Sequence, residues 1–338
     1  MRCETTENQR RVLSVSVVIN MGTMPLANLQ EYWSRNVVNY IPFYSDTFTR
    51  DRFSQIFWML HLETIPTRNT NPRTRLQRIT GAGQGLGREL AIQFAELGAT
   101  VICWDQDAPR NNAVVSEIRS KDGECFGFTI DVTVREQVAA LAARMRRQLA
   151  DVSMVVSNAG AFSCAPIAHL KPEAISRLIE VNLLAHFWII QAFLPSMIER
   201  RHGHIVAINS SAGLLPCADM VPYCAAKFGL RGLMDSITEE LRLDTWTKNI
   251  YTTSVYLATL STGLYPPPAH RFTSWYSEIT AKEAATIIID GIRKNHKDIS
   301  IPSFMKPLIA LNNVLPYRIR IIFMDFFNFR HRGWFSYC

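Results

Sequence analysis

Thr80-Gly81-Ala82-Gly83-Gln84-Gly85-Leu86-Gly87, followed at once by the helical pattern RELAIQFAEL of residues 88–97, is the stretch whose reading decides the fold. Its glycines let the chain turn tightly and bring backbone N–H groups at a helix start up to a pyrophosphate. A glycine-rich turn alone is a weak signal, since an ordinary strand-to-helix loop can look the same. Support comes from Asp105, which ends the next apolar run 24 residues after Gly81. There a carboxylate can hydrogen-bond the ribose hydroxyls of an adenine dinucleotide. It also repels a 2′-phosphate, and positions 82–86 hold no basic residue to offset this. The pattern therefore favours NAD(H) over NADP(H).

Outward from this turn, short apolar runs alternate with amphipathic stretches. Residues 99–105, 125–131, 152–158 and 204–210 read as strands, and 88–97, 134–149 and 172–200 as helices. Strands alternating with helices predict an α/β fold, a Rossmann-like doubly wound parallel sheet. The composition, 48% hydrophobic and 19% charged, is that of a globular chain. A net charge of +7 permits an anionic partner without arguing for one. Seven scattered cysteines form no CxxC pair, so neither a metal site nor a disulfide framework is expected. No run of 18 apolar residues marks a transmembrane helix. Residues 12–24 follow Arg10 and Arg11 faintly in the manner of a signal peptide, but Glu4 and Glu7 spoil the basic lead and no clear cleavage site follows.

Tyr223-Cys224-Ala225-Ala226-Lys227 places a phenol and an ammonium at i and i+4, on one face of a helix. A free tyrosine, with a pKa of about 10, is a poor base at neutral pH, and a nearby cation lowers that value. YxxxK is common by chance, and a surface tyrosine beside a lysine is its blander explanation. Here it has company. Ser210 ends a strand 13 residues earlier, and Asn182 sits among apolar neighbours, where a satisfied buried amide is the plain alternative.

Taken together, the glycine turn, Asp105, Asp131, Asn158-Ala159-Gly160, Asn182, Ser210 and YxxxK resemble the short-chain dehydrogenase/reductase family over residues 76–330. The resemblance implies Tyr223 as general acid/base, with Lys227 lowering its pKa and holding the nicotinamide ribose. Ser210 would bond the reacting oxygen, and Asn182 would support a water-linked proton relay. Gly81, Gln84, Gly85, Leu86 and Gly87 would carry the pyrophosphate. Asp131 and Val132 would bracket the adenine, and Asn158, Ala159, Gly160 and Thr262 would line the cofactor cleft. GHIVAINSSAG, VPYCAAKFGLRG and the carboxy-terminal tail are similar to membrane-associated retinol and 17β-hydroxysteroid dehydrogenases. That implies a lipid-like alcohol or ketone as substrate, a homodimer, and a place on the cytoplasmic face of endoplasmic reticulum or on lipid droplets. Without the amino-terminal anchor of those enzymes the chain would be cytosolic. Two departures stand out. Ser157 replaces the first Asn of an NNAG motif, and Leu257-Ala258 stands where the family has proline after the sixth strand.

Residues 1–75 read differently. Residues 1–80 contain ten Arg and no Lys, and 64–78 form a polar, arginine-rich linker with two prolines. NMGTMPLANLQEYWSRNVVNYIPFYSDTFTRDRFSQIFWMLHL (20–62) resembles a fragment of a piggyBac-type transposase. The nuclease core lies elsewhere in that family, so Asp46 and Asp51 are not metal ligands, and 47–61 also reads as a plain basic amphipathic helix. The extension is expected to be helical or irregular and unrelated to the sheet. It reaches the first strand, Leu76-Gln77-Arg78-Ile79-Thr80, and puts Gln77 and Arg78 where a central strand should be apolar. The expectation is a join, from a chimeric gene model or a transposon-derived exon, that replaces the start of this strand.

The dehydrogenase-like domain spans 76–300. Residues 301–338 follow as an amphipathic segment with Lys306, Arg318, Arg320, Arg330 and Arg332 between apolar runs. This segment either lies in a membrane interface or closes over the substrate cleft as a helix pair. Two other functions compete with an oxidoreductase: a cofactor-binding scaffold disabled by the altered first strand, and nucleic-acid binding through the arginines of 1–80, for which charge is the one support.

Overall fold

β1 (Leu76–Thr80) runs through the glycine turn into α1 (Gly85–Glu96), which opens the first strand-helix unit. The computed structural model describes residues 76–149, 151–258, 260–261 and 279–327. The extension expected at 1–75, Thr262 and the tail beyond 327 lie outside them.

The pattern repeats: β2 (Thr100–Asp105), α2 (Ala108–Ser120), β3 (Cys125–Thr129), α3 (Arg135–Gln148) and β4 (Val152–Ser157). Next come α4 (Pro172–Ile179), a π-helical segment (Glu180–Leu184) and α5 (Ala185–Arg200). β5 (Gly203–Ser210), α6 (Val221–Leu243) and β6 (Ile250–Leu257) complete the centre. A short parallel pair, β7 (Leu260–Ser261) and β8 (Ile279–Thr280), precedes α7 (Ala281–Arg293) and β9 (Asp298–Ile301). Two helices end the described chain, α8 (Met305–Val314) and α9 (Tyr317–Phe327).

Seven strands form one parallel sheet in the order β3-β2-β1-β4-β5-β6-β9. One face packs Ile79, Val101 and Cys103 against Leu90 and Phe94 of α1 and Ile288 of α7. The other packs Ile102, Trp104 and Val155 against Ile189 and Met197 of α5 and Leu230 of α6. Helices on both faces explain why β2 and β5 are buried at all but their last residue. The sheet is doubly wound, as expected. Strand order reverses between β1 and β4, and this opens a crevice beyond their carboxyl ends.

One detail differs from the sequence reading. The single helix expected at 172–200 contains a π-helical turn, because Glu180–Leu184 takes one residue more per turn than its flanks. This helical stretch is apolar enough to cross a membrane by composition, yet half of its most apolar window is buried within the protein, as in a core helix. Asp107, just after β2, caps α2 by accepting the Arg110 N–H at 3.0 Å.

The anomaly lies in β1. It pairs in register with β2, and with β4 beyond a register shift between Leu76 and Gln77, Arg78 lying opposite Ile102 and Val155. Arg78 is fully buried, and none of its three guanidinium nitrogens has a hydrogen-bond partner. Its Cζ sits 3.2 Å from the centroid of Trp104 and 4.6 Å from that of Phe193. Burial drives its pKa well below the ordinary value.

Acid stability follows from two buried imidazoles. Burial, with the Lys227 charge adding, holds His186 of α5 at about 3. Burial first, then His202, holds His204 of β5 at about 4. The unfolded chain titrates both near 6.5. Below that pH it takes up protons the folded state refuses, so their contribution is whole above about 6.5 and shrinks as pH falls toward 3–4. Each pH unit of separation is worth about 1.4 kcal/mol per group. Urea midpoints are expected to fall over this range, and less steeply in His186→Leu. Equal slopes in the two proteins would exclude His186.

Candidate active site

The crevice beyond β1 and β4 is a cleft of about 310 Å³. Of the catalytic and cofactor-binding residues expected from the sequence, those among the described residues line it, with the exception of Gly87. Thr262 lies outside the described residues. Gly87 stands behind the turn and explains its shape. A Cβ there would meet the Gly81 carbonyl oxygen at 2.0 Å and Asn158 Nδ2 at 2.6 Å, so only glycine lets α1 start this close to β1. Gly81 has φ +62°, the left-handed region that glycine adopts at no steric cost. Asn158, just after β4, ties the turn down by donating from Nδ2 to Thr80 O at 2.9 Å and to Gly81 O at 3.3 Å. The Thr80 hydroxyl accepts the Asn158 and Ala159 N–H groups at 2.8 and 3.0 Å. Gly87→Ala is expected to destabilise the domain by about 1–3 kcal/mol and to weaken dinucleotide binding, measured by urea unfolding and by quenching of intrinsic fluorescence. An unchanged affinity would show that the turn does not contact the ligand.

Asp105 is fixed by its surroundings. Its Oδ2 accepts the Gly83 N–H at 2.8 Å and its Oδ1 the Asp107 N–H at 2.9 Å. Asp131 is drawn two ways. Burial pushes its carboxyl up, but the Thr133 backbone and hydroxyl and the Arg177 guanidinium outweigh this and hold it below the usual range. Arg177 of α4 bonds Asp131 Oδ2 at 3.3 Å and Gln106 Oε1 at 3.2 Å, and lines the same end of the cleft as Asp105 and Asp131. Arg110 of α2 bonds Gln84 Oε1. Both arginines escaped the sequence reading. They arrive from helices whose only local signal is solvent-facing charge.

At the other end, α6 brings Tyr223 and Lys227 onto the face turned to the end of β5. Lys227 is buried, and its Nζ donates to Ile208 O at 3.0 Å and lies 5.7 Å from the centre of the Tyr223 ring. Burial pushes its pKa down to about 8. The Tyr223 ring meets Phe162 edge-on at 5.2 Å. Ser210 closes β5, with its hydroxyl accepting the Ala212 N–H at 3.2 Å. Gly213 in that loop is pressed against α6: a Cβ would meet Lys227 O at 2.7 Å. Asn182 is fully buried in the π-helical turn. Its Nδ2 donates to Ala161 O at 2.7 Å and Leu178 O at 3.0 Å, and its Oδ1 accepts the Ala161 N–H at 3.3 Å. The amide is thus satisfied, and it fixes the wall of the cleft after Gly160. Leu257 and Ala258, the departure noted after the sixth strand, also line this end. Among the described residues, no cluster of His, Cys, Asp and Glu could hold a metal.

Comparison with known proteins accords with this geometry. A sequence model described as short chain dehydrogenase matches residues 77–267. Human 17-beta-hydroxysteroid dehydrogenase 13 is 33% identical over 258 residues, covering 76% of this chain and 85% of its own. Mouse epidermal retinol dehydrogenase 2 is 32% identical over 275 residues, covering 81% and 88%. Among solved structures, a metagenomic short-chain oxidoreductase in complex with NADP superposes with a TM-score of 0.57 at 28% identity, covering 67% of this chain and 96% of its own. A short chain dehydrogenase/reductase from Burkholderia phymatum in complex with NAD reaches 0.64 at 22% identity, covering 71% and 92%, and speaks for the fold alone. A second sequence model, described as Transposase IS4, matches residues 10–81. The two matches overlap at residues 77–81, within and just after β1.

Proposed function

The chain belongs to the short chain dehydrogenase family, and from that premise we propose that it interconverts a hydrophobic alcohol and its aldehyde or ketone, with NAD(H) as hydride carrier. The observation that carries the proposal is the convergence of Ser210, Tyr223 and Lys227 on the cleft that the glycine turn opens. A bound nicotinamide would supply or accept the hydride. Gly81, Gln84, Gly85 and Leu86 would hold the pyrophosphate, Asp105 the adenosine ribose, and Asp131 and Val132 the adenine. Asn158, Ala159 and Gly160 would flank the dinucleotide.

The chain's own residues move the proton. The Tyr223 hydroxyl exchanges it with the substrate oxygen. The buried Lys227 ammonium, half protonated near pH 8, favours the phenolate electrostatically. Ser210 orients the reacting oxygen. Asn182 keeps the π-helical wall in place beside them.

Preference for NAD(H) rests on the Asp105 carboxylate, whose fixed charge opposes a 2′-phosphate. Asp105→Ser is expected to shift the ratio of kcat/KM for NAD over NADP toward NADP by about tenfold to a hundredfold. An unmoved ratio would show that Asp105 does not set the preference.

Retinoids, steroids and related lipids are the substrate class proposed, because the relatives are named for such alcohols and ketones. The carboxy-terminal helices suit delivery from a membrane or lipid-droplet surface on the cytoplasmic side. Leu311, Val314, Ile319 and Ile322 are exposed there beside Arg318 and Arg320. A homodimer through the helices of Asn182 and Tyr223 would cover the exposed Phe187 and Phe228. The test is direct: follow nicotinamide absorbance for the purified full chain against retinol, steroid and fatty-alcohol panels. Turnover confined to none of them would overturn the substrate class. A second reading, a protein that binds the dinucleotide without turning over, is favoured by Arg78 in the sheet centre. On that reading, residues 1–75 are a transposase-derived replacement for the family's own start.

A further inference from the structure

Cys164, Cys217 and Cys224 come from three separate segments and gather in one apolar cluster with Phe162, Ala212, Met220 and Tyr223. Cys224 is the residue after Tyr223, in the first turns of α6. Cys217 lies in the loop that leads from Ser210 to that helix. The Cys224 Sγ is 3.9 Å from the Cys217 carbonyl oxygen, so the two residues are packed side by side. Cys217 and Cys164 are partly exposed, so a small solute can reach the cluster. A second thiol pair, Cys103 and Cys125, has its sulfurs 3.6 Å apart, but both are sealed inside the sheet.

The pair beside Tyr223 is chemically unequal. The hydrogen bond from Cys217 outweighs burial and brings Cys224 down to about 7. The same bond, followed by burial, pushes Cys217 up. Cys224 is therefore the readier of the two to ionise, and Cys217 the one that keeps its proton.

We propose that Cys217 and Cys224 are an oxidisable dithiol at the rim of the cleft, which a peroxide closes to a disulfide and a thiol reductant reopens, and that closure suppresses turnover. In the first step the Cys224 thiolate attacks a peroxide oxygen, and the O–O bond breaks to give a sulfenic acid and water. In the second, the Cys217 sulfur attacks the sulfenic sulfur. The S–S bond forms and the S–O bond breaks, and a second water leaves. Two thiols lose two electrons in all, and one hydrogen peroxide is reduced to two waters. The bonded sulfurs must close to about 2.05 Å, nearer than any hydrogen-bonded pair of thiols. That draws the 214–220 loop against the first turn of α6. A displacement of about 1 Å at a reacting group can cost on the order of a hundredfold in rate. The effect on turnover rests on the reading of Tyr223 as acid/base; the chemistry of the thiols does not.

The test uses the purified full chain, treated with hydrogen peroxide and mapped by mass spectrometry without reduction. A Cys217–Cys224 peptide pair, lighter by two hydrogens, is expected in the parent protein and in Cys164→Ser, and is expected to be missing in Cys217→Ser. Turnover of the oxidised parent should fall by about tenfold to a hundredfold and return with dithiothreitol, whereas Cys217→Ser should resist. Failure to find the linked peptides, or a linked protein that keeps full turnover, would overturn the proposal. If the reduced protein turns over none of the alcohols, the functional reading falls, and the peptide map still decides whether the thiols pair.

Discussion

Tyr223→Phe is expected to lower kcat by about 10²–10⁴-fold while leaving dinucleotide affinity within about twofold. The substitution removes one oxygen and keeps the ring, so the edge-on contact with Phe162 survives. What disappears is the group proposed to exchange a proton with the substrate. The helix, the Lys227 bond to Ile208 O and the glycine turn do not depend on it. A loss of turnover with unchanged binding therefore separates chemistry from folding. Rates by nicotinamide absorbance and affinities by fluorescence quenching would be compared on the same preparations. Full activity in the phenylalanine variant would move the proton to another group and sink the assigned chemistry.

The second large effect concerns stability. Arg78→Met is expected to stabilise the domain by roughly 2–4 kcal/mol, by the precedent of buried ionic groups replaced by apolar ones of similar volume. Two effects compete at this position. Stacking of the guanidinium on Trp104 and Phe193 favours arginine, by about 2 kcal/mol for a desolvated cation. Against it stands an unpaired buried charge, whose cost in real proteins is several kcal/mol. The cost is the larger. Methionine keeps an unbranched chain of similar reach, so little cavity is left and thioether-aromatic contacts replace part of the stacking. Urea unfolding monitored by tryptophan fluorescence reads the change, and a shift of about 2–4 °C in Tm per kcal/mol should accompany it. A midpoint lower than the parent's would mean that Arg78 meets a compensating partner in solution.

Different parts of this molecule were open to sequence reasoning for different reasons. The glycine turn was readable because steric need shows directly in residue type: only glycine fits at 87, and Gly81 occupies a left-handed conformation. The doubly wound sheet followed from short apolar runs alternating with amphipathic stretches, the pattern of a parallel sheet covered on both faces. Arg78 could be flagged as misplaced because a central parallel strand has no wet side. Arg110, Arg177 and the cysteine cluster were hidden. Their meaning lies in contacts across 26, 46 and 60 residues, from Arg110 to Gln84, Arg177 to Asp131 and Cys164 to Cys224. No local pattern records such distances. The state of Asp131 was hidden for a related reason, since Thr133 is near in sequence but Arg177 is not.

The wide turn at Glu180–Leu184 has a consequence for anyone who would edit this chain. One surplus residue in a helix offsets everything before it from everything after it by about 100° of rotation. The wide turn absorbs that offset locally, so a residue added or removed elsewhere in the helix would swing either α4 with Arg177 or α5 with its buried flank away from the sheet. Length at this point is a phase setting, so same-length exchanges are the safer kind of edit between Pro172 and Arg200.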